Sequence, residues 1–195
     1  MIKFIKSMTC ISLSAFMLAT PIVADKVTDT LEESIKAYKD GDYVQVKEDL
    51  TYVLELLKQK KGETLKAFLP DALEGWSAEN ATSETAGAGM LGGGTSVSRV
   101  YKKDKSKITV SIVTDSPLMQ SIGMMMSNPM FASGGKLKRI NREKAIIEYN
   151  ENEKSGELRM VFEKRYLITV EGNKITEEDL INYAKALDLK KLKEI

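Results

Sequence analysis

Five methionines lie close together and have the clearest chemical potential in this chain: Met119, Met124, Met125, Met126 and Met130. Thioether sulfur is a soft ligand that suits Cu(I), so one interpretation is a copper site. Metal-handling segments usually add cysteine or histidine, and this segment has neither. Core packing is the favoured interpretation, because several side chains share one helical face: Leu118, Ile122, Met125 and Met126. A deformable apolar surface for a ligand or partner is the third interpretation.

The apolar character continues beyond this helix through residues 129–132 and stops at Gly134 and Gly135. An exposed groove of this composition could hold a lipid tail, an apolar small molecule or a partner helix. The competing interpretation, which we favour, is that the helix simply covers the sheet. The predicted residues of such a ligand site are Leu118, Ile122, Met125, Met126, Met130 and Phe131.

A glycine-rich segment, AGAGMLGGG at residues 86–94, is the second unusual feature. A phosphate-binding loop has a glycine-rich turn followed by a helix with Lys and Ser or Thr. Here residues 95–98, TSVS, begin a strand pattern instead, so we expect a flexible hairpin loop. The alternative is a mobile lid over a pocket. The glycines of that lid would be Gly87, Gly89, Gly92, Gly93 and Gly94.

The composition leaves little for catalysis. The chain has no histidine, and its one cysteine, Cys10, lies in a segment that export would remove. The processed chain therefore lacks the residues for disulfides, zinc fingers, iron–sulfur clusters, cysteine nucleophiles and Ser-His-Asp triads. Acidic residues at positions 32–33 and 177–179 stand where helix starts favour negative charge. We predict no enzymatic activity, no catalytic residue, no metal ligand and no cofactor.

The N-terminus has the pattern of a secretory signal peptide over residues 1–24. Lys3 and Lys6 precede a short apolar run, and the small Ala24 offers a cleavage site before Asp25. The run is shorter than the ~20 residues that span a bilayer, so we expect no stable membrane insertion after processing. With 29 basic and 28 acidic residues, the chain lacks the basic surplus of a nucleic-acid-binding protein. The predicted location is the periplasm, with secretion as the alternative.

Two amphipathic helical patterns follow the signal. Thr30 and Glu33 predict a capping box at the start of the first. Its apolar residues recur at helical spacing: Val27, Leu31, Ile35 and Tyr38. The second pattern runs from about Tyr43 and has one apolar face: Val46, Leu50, Val53, Leu54 and Leu57. We expect the two helices to pack as an antiparallel pair.

Residues 37–57, AYKDGDYVQVKEDLTYVLELL, resemble the middle of a tetratricopeptide repeat, with Gly41 and Tyr43 at the turn. Val46 replaces the small residue that is usual in the second helix. No second copy occurs at the repeat's period of about 34 residues. We therefore expect an isolated helical hairpin.

Alternating, β-branched segments then predict strands over residues 76–82, 95–102, 107–114, 136–140, 144–149, 157–162 and 166–171. The short polar links between them predict a mostly antiparallel meander. An inserted helix is predicted over residues 117–127, with Ser116 as its cap and Pro117 in first position. A C-terminal helix is predicted to open at residues 176–179.

These elements predict an α+β fold in which an N-terminal helical hairpin precedes a mostly antiparallel sheet, covered on one face by the inserted and C-terminal helices. We assign the hairpin to residues 25–69 and the sheet to residues 70–195, and we expect residues 25–195 to form one folded unit. Trp76, the only tryptophan, is expected to fill the joint between hairpin and sheet. A sugar-stacking platform is the alternative role.

The motif L-P-x-x-L-x-G-W at residues 69–76, the glycine-rich segment and T-S-V-S-R-x-Y at residues 95–101 together resemble small exported bacterial proteins of unknown function. The resemblance covers most of the processed chain, and its motifs imply no activity. The layout is comparable to PsbP-like folds by analogy only.

We predict an exported, non-catalytic envelope protein that acts as a binding or interaction module, as a monomer or weak oligomer. Its partner would be a protein or an apolar ligand. In an interaction module the hairpin would expose Tyr38, Tyr43 and Tyr52. The alternative is a carrier that holds an apolar ligand or lipid in the methionine-rich groove.

Overall fold

The computed structural model describes residues 25–84, 94–116, 119, 123–124 and 135–194. In chain order the helices and strands are α1 Lys26–Asp40, α2 Tyr43–Lys66, β1 Ser77–Ala78, β2 Thr82–Glu84, β3 Thr95–Lys103, β4 Ser106–Thr114, β5 Lys136–Ile140, β6 Glu143–Asn150, β7 Ser155–Phe162, β8 Tyr166–Asn173, α3 Glu177–Lys185 and α4 Leu189–Leu192. The predicted α+β class is confirmed. The predicted signal peptide lies outside the described residues.

The two N-terminal helices are set by aspartate caps. Asp25 caps α1 and Asp42 caps α2, where its carboxylate accepts from the Gln45 backbone N–H at 3.1 Å. Between them Gly41 adopts the left-handed conformation, with φ of 81°, and ends α1. The capping box predicted at Thr30 is wrong, because α1 begins four residues earlier and the Thr30 hydroxyl donates to the Lys26 carbonyl inside the helix.

All the strand pairs in the described sheet are antiparallel, and the strand order is β1-β3-β4-β8-β7-β6-β5, with β2 also paired to β3. The chain is therefore not a simple meander. After β4 it crosses to the far edge at β5 and returns through β6 and β7 to β8, which closes the sheet against β4. The strand predicted over residues 76–82 is divided into β1 and β2, and the Glu79 backbone N–H between them still donates to the Val100 carbonyl.

One face of the sheet carries the main core. A row across the four central strands joins Val97, Ile112, Ile168 and Met160, all of them buried. Leu65 near the end of α2, and Leu180 and Tyr183 of α3, pack into the same core. The end of α2 therefore belongs to the same packed unit as the sheet.

The opposite face is polar over its middle and apolar at one end. There Met119 packs on Val113 of β4 and Leu167 of β8, with Val161 beside them. Met119, Gly123 and Met124 are the described residues of the predicted inserted helix, and all three are helical. The expectation that the helices cover one face is therefore incomplete, because Met119 lies on the face away from α2 and α3.

The C-terminal segment divides into two helices. Thr176 and Asp179 form a reciprocal capping box at the start of α3, where the sequence predicts a helix start. After Lys185 the helix stops, and α4 forms a separate turn whose Leu189 and Leu192 are buried in the core. None of the helices in the described residues is both long enough and apolar enough to cross a membrane.

Candidate functional site

The helical hairpin is anchored to the sheet at one end only. The second half of α2 packs on β2 and β3, whereas α1 packs on α2. Gly62 of α2 lies directly against Ser83 of β2, and Lys61 forms an ion pair with Asp115 just after β4. The first half of α2 and all of α1 therefore extend away from this anchor.

The most deeply buried part of the contact between α1 and α2 consists mostly of small and polar side chains. Thr30 and Ser34 of α1 and Asp49 and Val53 of α2 are the buried residues here. Asp49 Oδ1 accepts from Gln45 Nε2 at 2.7 Å, while its Oδ2 has no hydrogen-bond partner among the described residues. Because small and polar side chains fill much of this seam, most of the larger apolar residues of the two helices face elsewhere.

Those apolar residues are exposed. Among the described residues, nine of the eleven exposed large hydrophobic side chains lie in α1 and α2. Ile35 is 56% exposed, Tyr38 63% and Leu54 58%. Seven of the nine form what we call the hairpin stripe: Leu31, Ile35, Tyr38, Tyr43, Leu50, Leu54 and Leu57. An apolar surface of this kind marks a binding site more often than an accident of composition.

The members of the hairpin stripe face one side of the hairpin. At about 100° per residue, the α1 members fall within an arc of roughly 60°, and so do the α2 members. On each helix, the centre of the exposed arc lies about 90° around the helix axis from the buried seam residues. The rotation has the same sense on both helices when each is followed from its N-terminus. Since the helices are antiparallel, both arcs point to the same side. At the turn, the rings of Tyr38 and Tyr43 meet edge to face with centroids 5.8 Å apart.

Charges border the hairpin stripe on both long edges. By the same helical phase, Glu32 lies on the α1 edge farthest from α2, and Lys47 on the α2 edge farthest from α1. Both are exposed, and neither forms an ion pair with another described residue. The two edges of the surface thus carry opposite, unpaired charges.

The tyrosines that the sequence assigns to an interaction surface are all exposed in the structure. Tyr38 and Tyr43 belong to the hairpin stripe, whereas the phase of Tyr52 places it on the opposite side of α2. The aliphatic members of the stripe were not predicted as exposed. One sequence feature indicates where the two helices are in contact. Small side chains one turn apart, Thr30 and Ser34, interrupt the apolar positions of α1.

A polar cleft of about 510 Å³ is the second candidate, at the end of the sheet beside α3. Its wall includes Trp76, whose ring meets that of Tyr183 edge to face at 5.4 Å. Trp76 thus packs against α3, on the core cluster that also contains Leu65 of α2. Burial raises the pKa of Tyr183 to about 12.

Several of the polar groups around this cleft are engaged within the protein. The Tyr149 hydroxyl donates to the Ile175 carbonyl at 2.6 Å. Glu177 accepts from Lys138 at 2.5 Å and from Lys136 at 3.0 Å, and these hydrogen bonds hold the pKa of the carboxyl below its usual value. The cleft is therefore the weaker candidate for a ligand site.

The predicted ligand-binding residues of the methionine-rich groove lie outside the described residues: Leu118, Ile122, Met125, Met126, Met130 and Phe131. Two neighbours are described, and they differ: Met119 is buried, whereas Met124 is 61% exposed.

Of the predicted lid glycines, Gly87, Gly89, Gly92 and Gly93 also lie outside the described residues. Gly94 is described, with φ of 108°, and a Cβ there would lie 2.5 Å from the Thr114 carbonyl oxygen. This glycine is required by the close approach of the chain to the end of β4.

No protein family, curated protein or solved structure matches this chain. In the parts of the chain that the structure describes, no three acidic, histidine or cysteine side chains come together as a group that could hold a metal ion. The hairpin stripe therefore has to be interpreted from its own physical chemistry.

Proposed function

We propose that this protein is an exported, non-catalytic interaction module that binds a protein partner through the hairpin stripe. The observation that carries the proposal is the concentration of exposed apolar side chains on one side of α1 and α2. Removing such surface from water is the main favourable term in protein association, at roughly 25 cal/mol per Å² of apolar area.

The composition of the stripe supports binding over simple solvation. Tyr38 and Tyr43 lie at its tip, and tyrosine is enriched among the residues that dominate binding energy at interfaces. Leucine and isoleucine side chains fill the rest of the surface, while the charges stay at its edges. An apolar centre with a polar rim is the usual anatomy of a protein interface.

The anchoring of the hairpin also supports this role. The contacts of Gly62 and Lys61 fix the second half of α2 on the sheet. A surface carried by a fixed helix pair is presented in one orientation, which lowers the ordering cost of binding. In this proposal the sheet supports the hairpin, and the hairpin binds the partner.

Site-specific photo-crosslinking tests the proposal in the compartment where the protein resides. A crosslinking residue is placed at Leu54 or, as the matched control, at Leu137 on β5, because the two leucines are 58% and 60% exposed. We expect covalent protein adducts from position 54 and none from position 137. Adducts in equal amounts from both positions, or from neither, would contradict the proposal.

A further inference from the structure

We propose that the partner seated on the hairpin stripe is a second copy of this chain, so that two hairpins form an antiparallel four-helix bundle. This inference rests on the proposed function, since it requires the stripe to be a binding surface. It adds the identity of the partner and the geometry of the complex.

The exposed area matches what a dimer needs. The seven side chains of the hairpin stripe, each about half exposed, present on the order of 700 Å². Each partner in a standard protein interface buries roughly 800 Å². The stripe of one copy can therefore supply nearly the whole of one partner's share, with the charged rim completing it.

The shape of the surface also suits a second copy. In a pair of packed helices, each helix buries only the side that faces the other. An apolar surface on another side of the pair needs a neighbour of similar shape to bury it. A twofold axis parallel to the helices places α1 of one copy over α2 of the other. Every adjacent pair of helices is then antiparallel, which is the arrangement of an up-and-down four-helix bundle. Such an interface is self-complementary, as a twofold interface must be.

The charges at the rim favour this arrangement over its alternative. With the axis parallel to the helices, the edge of α1 that carries Glu32 lies over the edge of α2 that carries Lys47 in the other copy. A perpendicular axis would instead place the two Glu32 edges together. The position of Glu32 along the bundle follows from the contacts between α1 and α2.

Asp25 pairs with Lys60 at 3.3 Å at one end, and the rings of Tyr38 and Tyr43 meet at the other. Interpolating between these contacts puts Glu32 about one helical turn, or about 6 Å, from the level of Lys47. A lysine side chain spans that distance. Lys39 lies on the same α1 edge at the tip of the hairpin, about one and a half turns, or about 8 Å, from the level of Lys47, so Glu32 is the nearer of the two charges.

Analytical ultracentrifugation of the purified full-length exported protein tests the dimer. We expect a concentration-dependent dimer, and we expect Leu54→Glu to weaken it by about tenfold or more, because the twofold axis buries the new charge twice. Leu137→Glu, an equally exposed leucine on β5, should leave the dimer unchanged. Circular dichroism and thermal melting check that both variants are folded.

A charge exchange tests the geometry. Glu32→Lys and Lys47→Glu should each weaken the dimer a few-fold by placing like charges together at both edges. The double variant, with both changes in one chain, should restore the wild-type dissociation constant. A double variant no tighter than the singles would overturn the proposed arrangement.

The crosslinking described above separates failure of the dimer from failure of the binding surface. Adducts at position 54 with the mass of two chains support the dimer. A protein that stays monomeric up to about 100 µM, with position-54 adducts of another mass, would overturn the dimer and leave the interaction module standing. A monomer with no adduct at position 54 would overturn both.

Discussion

Gly62 of α2 and Ser83 of β2 are in such close contact that a Cβ at position 62 would lie 2.0 Å from the Ser83 hydroxyl oxygen and 3.2 Å from its Cβ. The methyl group of Thr95 is also within 3.4 Å. This is where the helical hairpin meets the sheet. Because position 62 has no side chain, α2 can approach β2 closely, and this sets the distance between the hairpin and the sheet.

We expect Gly62→Val to destabilise the protein by about 1–3 kcal/mol, because the side chain must displace β2 or tilt α2. Urea unfolding measures the change. Gln59→Val is the control, since it introduces the same residue at an exposed position of the same helix. Valine has a better helix propensity than glycine, so a loss no larger than that of Gln59→Val would mean that the contact with Ser83 does not exclude a side chain.

Gly94→Ala is expected to lower the unfolding free energy by about 1–3 kcal/mol or more. The positive φ and the nearby Thr114 carbonyl oxygen both exclude a side chain at this position. Gly41 also has a positive φ, of 81°, but has open space around it. Gly41→Asn should therefore cost only a few tenths of a kcal/mol, since asparagine tolerates the left-handed region. A tolerated Gly94→Ala would indicate that the segment can move freely at this point.

The Tyr101 hydroxyl is buried and donates to the Pro70 carbonyl at 2.5 Å, and burial raises the pKa of this phenol. Tyr101→Phe should cost about 1 kcal/mol. The loss is moderate because Arg99 Nη1 also donates to the Pro70 carbonyl, at 3.2 Å.

Combining Tyr101→Phe with Arg99→Ala leaves that carbonyl with neither donor. The double variant should therefore lose more stability than the sum of the two single variants, and a double-mutant cycle by chemical denaturation measures the excess. Strict additivity would show that the two donors act independently.

Glu177 gives the stability a predictable dependence on pH. Hydrogen bonds from Lys138 and Lys136 lower the pKa of its carboxyl in the folded protein. A lowered folded-state pKa stabilises the protein above the unfolded pKa, and this contribution is lost as the pH falls through the folded value. Wild type should therefore exceed Glu177→Gln in stability at pH 7, and the difference should shrink below about pH 4.5. A difference that is constant across this range would contradict the assignment.

The sequence predicts most of the local structure because that structure depends on local patterns. Apolar spacing identified both N-terminal helices, alternation identified most strands within two residues of their bounds, and residues 176–179 identified the start of α3. The start of α1 was missed because the Asp25 cap lies before the apolar pattern begins.

The relations between elements were harder to predict. Apolar positions at helical spacing show that α1 and α2 are amphipathic, but not which side is covered. Here Thr30 and Ser34 form the contact, since small side chains allow close approach, and Leu31 and Ile35 remain outside. The pairing of β4 with β8 has no local signal either, because it joins strands that are distant in the chain.

That pairing has a consequence for how the chain folds. Ile112 must find Ile168 before the sheet is continuous, so the closing contact has a large sequence separation and contributes to a high contact order. As the chain is synthesised or threaded from its N-terminus, α1, α2 and the β3–β4 ribbon are available long before β8. During that interval the edge of β4 has unpaired backbone groups and can pair with other chains. The protein is therefore most vulnerable to aggregation in the interval between the completion of β4 and the arrival of β8.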